Sequence, residues 1–334
     1  MFLTIRYITK PGLFANNRGQ GSGNAQVLQY VCSENDTRSI ISGYSIAYAI
    51  RNNMERFGAN TARKTVGNVN GEYEYGPNRV AKLQDFFSTS TNPYDYPDLL
   101  LRGWFSAPKS EKGSKGTKVS TGSGVEASTS DNDAIVVIKE EPVDDSKVSK
   151  CKGALQLDCP ISTTPYDGDV VFTRGLKSDG GLNPFTYQRH YTRYSGCMSF
   201  DLLSMMNFKT PIGVSKNDRE RICKDAVVLA IKAFMSGLQV GGNHTSNASE
   251  FVPATIIYRI HKGAGQSGLY LPPWILNQFQ PDVEIDSERI QGVMSYLDSI
   301  LGEEEYNIIG EGTPDPICNL QDLYADIDSA FANV

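Results

Sequence analysis

The chain has 334 residues, 38 of them acidic and 32 basic, and its 40% hydrophobic content is ordinary for a globular protein. That length suggests one large or two modest domains. No apolar run approaches the roughly 18 residues of a membrane span, and no basic-then-apolar leader precedes a cleavage site. Six cysteines without a CxxC pair argue against a zinc framework or disulfide scaffold and fit a reduced cytoplasm. Charge is unevenly divided. Residues 282–334 hold 13 acidic side chains and one basic, a balance of −12, leaving 25 acidic and 31 basic in 1–281, a balance of +6. A basic body can hold a polyanion, and it can equally meet the acidic end of a neighbouring copy.

In chain order, FLTIRYI at 2–8 alternates as a strand, with Leu3, Ile5 and Tyr7 on one side. A Gly/Asn-rich loop, NNRGQGSGN, runs from Asn16 to Asn24. Ser42 then caps a helix whose apolar stripe is Ile46, Ile50, Met54 and Phe57, and Gly58 ends it. Residues 61–105 mix Arg63, Lys64, Arg79 and Lys82 with aromatics, and a short helix is expected around Asn78–Phe87. From 106 to 150 large apolar residues are scarce, so the segment reads as a flexible low-complexity insertion with a brief strand at Ile135–Ile138.

Tyr191–Leu202 alternates cleanly: Tyr194, Met198, Phe200 and Leu202 point one way and Arg193, Ser195, Ser199 and Asp201 the other. Asn217 is expected to cap a second helix, with a stripe of Ile222, Ala226, Leu229, Ala230 and Ala233 and a stop at Gly237. ATIIYRIH at 254–261 returns as a strand. Strand–helix–strand twice over predicts an α+β fold of the ferredoxin-like, split βαβ kind, with helices on one face of an antiparallel sheet. The other face is expected to stay open and to display Thr4, Arg6, Arg193, Arg259 and His261, as RNA platforms and protein-docking faces do.

Signals of chemistry are few. GQGSGN lacks the Lys-Ser/Thr of a nucleotide-binding loop. The three histidines are not spaced as metal ligands. Asp167, Asp169 and Asp179 lie in a Gly-rich region that can form an extended hairpin; they suit a Mg²⁺ site that cuts phosphodiesters, and they equally suit turns. GGNH at 241–244 permits close backbone approach, with donors on Asn243 and His244.

Five segments occur together in one order: NNRGQGSGN, RSIISGYSIAYAIR, CKGALQLDCPISTTPYDGDVVF, YTRYSGCMSFDL and VGGNHTSNASEFVPATIIYRI. In that order they resemble the DevR-type backbone subunit of type I CRISPR effector complexes (Cascade), in the I-B-like branch. The resemblance implies an RRM-type palm from 1–58 and 191–281, a helical finger at 59–105 and a β-hairpin thumb at 151–190. The 106–150 insertion and an acidic extension at 282–334, which packs on the palm or on a neighbouring subunit, depart from the usual pattern. It further implies copies stacked along one guide RNA (crRNA), a grip on the phosphate backbone that ignores sequence, and guide bases presented to a target DNA strand. Implied partners are the crRNA-processing, large and tail-end subunits and, where a system directs transposition, transposon recruitment proteins. No cofactor or catalysis is implied. RNA-binding positions carried over are Asn17, Arg18, Ser42, Arg51, Arg63, Lys64, Arg174, Arg189, Tyr191, Asn243 and His244. Two alternatives stay open: a Mg²⁺-dependent RNA-cleaving backbone subunit of the type III kind, and an autoregulatory nucleic-acid-binding protein.

Overall fold

The computed structural model describes residues 1–15, 25–32, 36–62, 68–69, 72–73, 93–106, 149–168, 170–176, 182–207, 214–240, 251–263, 269–301, 306–313 and 319–333. The principal elements in chain order are β1 (Phe2–Thr9), α1 (Gly43–Arg56), α2 (Pro97–Arg102), β2 (Leu155–Leu157), β3 (Val170–Leu176) and β4 (Leu182–Gln188). They continue with β5 (Tyr194–Asp201), α3 (Lys216–Met235), β6 (Pro253–His261), α4 (Ser287–Leu301), β7 (Asn307–Gly310) and α5 (Leu320–Ala332). The expected helix at Asn78–Phe87 and strand at Ile135–Ile138 lie outside the described residues.

The main sheet runs β2-β5-β1-β6-β7, with Ile161–Ser162 also paired to β5. β1 is central and antiparallel to both neighbours, Thr4 lying opposite Ser199 on one side and Arg259 on the other. Period-2 alternation sends Leu3, Ile5 and Tyr7 to one face, where they meet Met198, Phe200, Ile256 and Tyr258 in the larger core. Helices α1, α3 and α5 cover that face with Ile46, Ile50, Met54, Ala226, Ala230, Phe234, Ile327 and Phe331.

Local signals account for the helix ends. Ser42 Oγ accepts from Ser45 N at 3.2 Å, and Gly58 follows α1 with φ of 89°, a value that favours glycine. Two expectations need correction. Phe57 is 53% exposed and is not part of the α1 stripe. The buried position there belongs to Asn53, whose Nδ2 donates to Ala233 O and Gly237 O and satisfies the carbonyl end of α3. Asn217 does not cap α3. Ser215 does, accepting from Asp218 N at 3.1 Å while its hydroxyl donates to Asp218 Oδ2 at 2.7 Å. The Ser-x-x-Asp spacing therefore starts the helix two residues earlier.

The larger correction concerns the second sheet face, which is not left open. Ile8, Ala254 and Ile257 on that face pack against Leu269, Leu271, Ile275, Phe279 and, from α4, Ile290, Val293 and Leu297. Two of the arginines expected to be displayed there, Arg6 and Arg193, hold this cover in place. Arg193, 4% exposed, donates to Thr9 O, Gln280 O and Val283 O. Arg6 donates through Nε to Leu269 O at 2.8 Å. Thr4 is 2% exposed and shares hydrogen bonds with Ser199 Oγ and His261 Nε2. Carbonyl oxygens can satisfy a buried guanidinium without a counter-charge.

Candidate nucleic-acid interface

Two features extend from one end of the sheet, where β1 stops and β5 and β6 begin. The first is the β3/β4 hairpin, paired from Val170–Gln188 to Leu176–Leu182. Beyond β4, His190–Thr192 pairs with Gly12–Phe14, and Ala25–Gln26 pairs in parallel with Thr186–Tyr187. Both flanks of the 16–24 loop are thus zipped to the hairpin and its base. The second is the pair of chain ends flanking 241–250, joined by Leu238 and Phe251, whose amides and carbonyls exchange bonds of 3.0 and 2.9 Å. Phe251 makes ring contacts with Tyr7, Phe14 and Tyr194 at 5.8 to 6.1 Å. One buried aromatic cluster therefore anchors the flanks of 16–24, of the hairpin and of 241–250.

A polar knot fixes the hairpin base. The buried His190 ring shares hydrogen bonds with Ser39 Oγ (2.7 Å) and Thr164 Oγ1 (3.2 Å), and Ser39 Oγ also meets Tyr194 OH at 2.7 Å. Burial holds the His190 pKa below its ordinary value; Arg38 acts the same way, while Asp167 and the Pro165 backbone oppose. Strand alternation then turns Tyr191, between buried His190 and Thr192, outward to 47% exposure. Val170 and Phe172, two residues apart on β3, are also exposed, which gives the hairpin an apolar surface that can stack on bases.

The carried-over residues fall into three groups. Arg189 (partly buried) and Tyr191 (exposed) sit at the hairpin base, and Arg174 occupies β3 opposite Pro184. Asn17, Arg18, Arg63, Lys64, Asn243 and His244 lie outside the described residues, although 16–24 and 241–250 leave and re-enter at the end just described. Ser42 and Arg51 belong elsewhere. Ser42 is buried as the α1 cap, and a Cβ on Gly43 would stand 2.9 Å from Asp158 O, so β2 closes off the helix start. Arg51 Nε faces Asp98 Oδ2 of α2 at 3.3 Å, with that carboxylate only 3% exposed. Phe172 and Val170 were missed; their alternation on a hairpin strand is the signal that could have found them. Among the described residues no three His, Cys, Asp or Glu side chains gather as a metal site, and no helix is long and apolar enough to cross a membrane.

No family model matches the chain. A relative from Myxococcus xanthus (strain DK1622), the CRISPR-associated protein Cas7/Cst2/DevR, is 22% identical over 299 residues, covering 86% of this chain and 77% of the relative. A solved chain of a CRISPR RNA-guided surveillance complex matches with a TM-score of 0.52 at 14% identity, over 100% of this chain and 99% of that one. A second, from such a complex in a pre-nicking state, gives 0.54 at 13% identity with the same coverage. At these identities the solved structures speak for the fold, a mixed α/β arrangement on an antiparallel sheet. The resemblance to DevR-type subunits read from the five segments is borne out.

Proposed function

We propose that this chain, of the Cas7/Cst2/DevR type by sequence and fold, is a backbone subunit of a CRISPR RNA-guided effector complex. In this reading β1, β5, β6 and their helices are the ferredoxin-like, RRM-type palm, and the β3/β4 hairpin is the thumb. The finger is the 59–105 segment, whose described parts include α2. Copies line one crRNA, as in an I-B-like Cascade, and leave its bases free to pair with a target DNA strand. Processing, large and tail-end subunits complete the assembly. The grip is electrostatic and positional, with no cleavage assigned to the chain.

The observation that carries this reading is the convergence of three chain segments on one end of the sheet. Arg189, Tyr191 and the β3 residues Phe172 and Arg174 lie there, and so do the described flanks of the loops bearing Arg18 and His244. Cations with interleaved aromatics suit a sugar–phosphate chain with stacked bases. The second sheet face, being covered, does not serve as the RNA platform. Ser42 and Arg51 support the site through the fold that holds it, not by touching RNA.

The test is co-expression with the neighbouring subunits and a repeat–spacer array, followed by purification of this chain and extraction of nucleic acid. A short RNA of uniform length is expected to co-elute. Arg189→Ala with Tyr191→Ala is expected to lower its recovery several-fold while leaving the protein folded. Elution free of RNA when every partner is present would contradict the reading.

A further inference from the structure

The layer that covers the second sheet face exposes large aromatics of its own. Its first part is anchored by Leu269, Leu271, Ile275, Leu276 and Phe279, all buried. Between these anchors the chain turns two rings outward: Tyr270 is 61% exposed and Trp274 59%. Trp274 stands in the short helix Pro273–Leu276, where the Ile275 and Leu276 amides donate to Pro272 O at 3.0 and 3.1 Å. Two prolines fix the backbone at the start of that helix, so the indole is presented on a rigid support.

From α4, Tyr296 meets Trp274 at 5.7 Å between ring centroids and at 89° between planes, so the two rings form a right-angled corner. Ile300, four residues on and therefore on the same side of α4, is exposed and extends the apolar surface. Buried Val293 and Leu297 hold this stretch of α4 on the layer beneath. The surroundings are acidic. Residues 269–301 hold Asp282, Glu284, Asp286, Glu288 and Asp298 against one basic residue, Arg289, a balance of −4. Arg289 is itself engaged, through Nε with Gln278 O and through Nη1 with Asp286. Asp282, Glu284 and Glu288 are exposed and meet no basic side chain among the described residues.

Exposed rings can stack on bases, insert at a lipid surface or anchor a protein, and the charge around them decides among these. A polyanion, whether RNA or an anionic bilayer, is repelled by a layer that carries −4. A cation is attracted. A guanidinium in particular stacks on an indole face while bringing the charge that uncompensated carboxylates favour. Trp, Tyr and Arg are also the side chains that dominate protein–protein contacts. We propose that the Trp274–Tyr296 corner receives a basic segment of a partner protein, with an arginine stacked on Trp274 and an apolar neighbour against Ile300. The exposed Glu284 and Glu288 supply the field that draws such a segment in. The inference does not depend on the RNA-binding reading.

The probe is a labelled, blocked peptide of sequence GLRGLRG, titrated into the full chain with fluorescence anisotropy as readout. Saturable binding is expected, weakening as salt rises. Trp274→Ala, a change at an exposed side chain, is expected to weaken it about tenfold, the scale of one cation–π contact. The GLKGLKG peptide keeps the charge but loses the planar stack, and is expected to bind several-fold more weakly. GLQGLQG is expected not to bind. Glu284→Gln with Glu288→Gln lowers affinity through charge alone, with the corner in place. Absence of saturable binding to millimolar peptide, or equal binding by the Trp274→Ala variant, would overturn the proposal. Unchanged peptide binding with lost guide-RNA affinity in Trp274→Ala would reassign the corner to nucleic acid. Unchanged peptide binding with lost self-association in sedimentation would reassign it to a second copy, and either result contradicts the proposal.

Discussion

Arg51 and Asp98 are a pair in which one partner has almost left water: the carboxylate is 3% exposed and 3.3 Å from Nε, and it also accepts from Ala62 N. Deleting one charge strands the other, at a cost of about 3 kcal/mol. Arg51→Met is therefore expected to lower the urea midpoint, and Arg51→Met with Asp98→Leu to cost less than the two single changes added. Additive losses would show that the two side chains do not act as a pair. His190 sets a second expectation. Its pKa is lowered on folding, first by burial, so the unfolded chain takes up the proton more readily. The neutral ring's contribution is complete above the ordinary histidine value of 6.5 and is lost as pH falls through it toward the folded value. Burial lowers His261 as well, so it adds in the same direction. Denaturation between pH 5 and 8 should show stability falling on the acid side, with a shallower fall in His190→Gln.

At the scale of elements, what could be read ahead was what local chemistry decides. α1 announces itself through Ser42, an apolar 3.6-residue period and Gly58; β1 and β6 do so through their β-branched residues and β5 through alternation. Phe57 misled because a helix end has no period left to constrain it, and the last turn was settled by Asn53 bonding to α3, 180 residues away. The cover over the second face could not be read at all. Arg6 and Arg193 look like any exposed strand arginine until the chain returns, 263 residues later for Leu269 and 87 to 90 for Gln280 and Val283, to offer carbonyls that carry no sequence signature. Of the site, a hairpin was legible in the Gly-rich composition around Asp167–Asp179, while Arg189 and Tyr191 at its base were legible only through the family resemblance. The roles of Ser42 and Arg51 were not, since burial by β2 and α2 is a tertiary fact. Arg193→Met is expected to cost about 3 kcal/mol, because three buried carbonyls lose their donor. It should also speed hydrogen exchange across 269–301 before the helix-covered face responds; uniform exchange over both layers would contradict the clamp.

For the molecule as a whole, the charge asymmetry acquires a structural sense. The acidic residues after 281 are carried on the segment leading into α4, on α4 and α5, and on the chain between those helices, and the apolar residues of the two helices are drawn inward: Ile290, Val293 and Leu297 to the second face, and Leu323, Ile327 and Phe331 to the helix layer. Only Arg289 offsets them. The balance of +6 belongs to the rest of the chain, which includes every residue assigned to the RNA-facing end. The proposed function, many sugar-phosphates held at that end without base reading, makes a quantitative commitment about salt. The most direct test is the affinity of the assembled subunit for two guide-length RNAs of unrelated sequence across a range of salt concentrations. The account predicts parallel lines of log K against log salt, each contacted phosphate contributing a slope of about −0.7, and affinities that agree within a few-fold. A flat salt response, or a strong preference for one sequence that persists as salt rises, would contradict it.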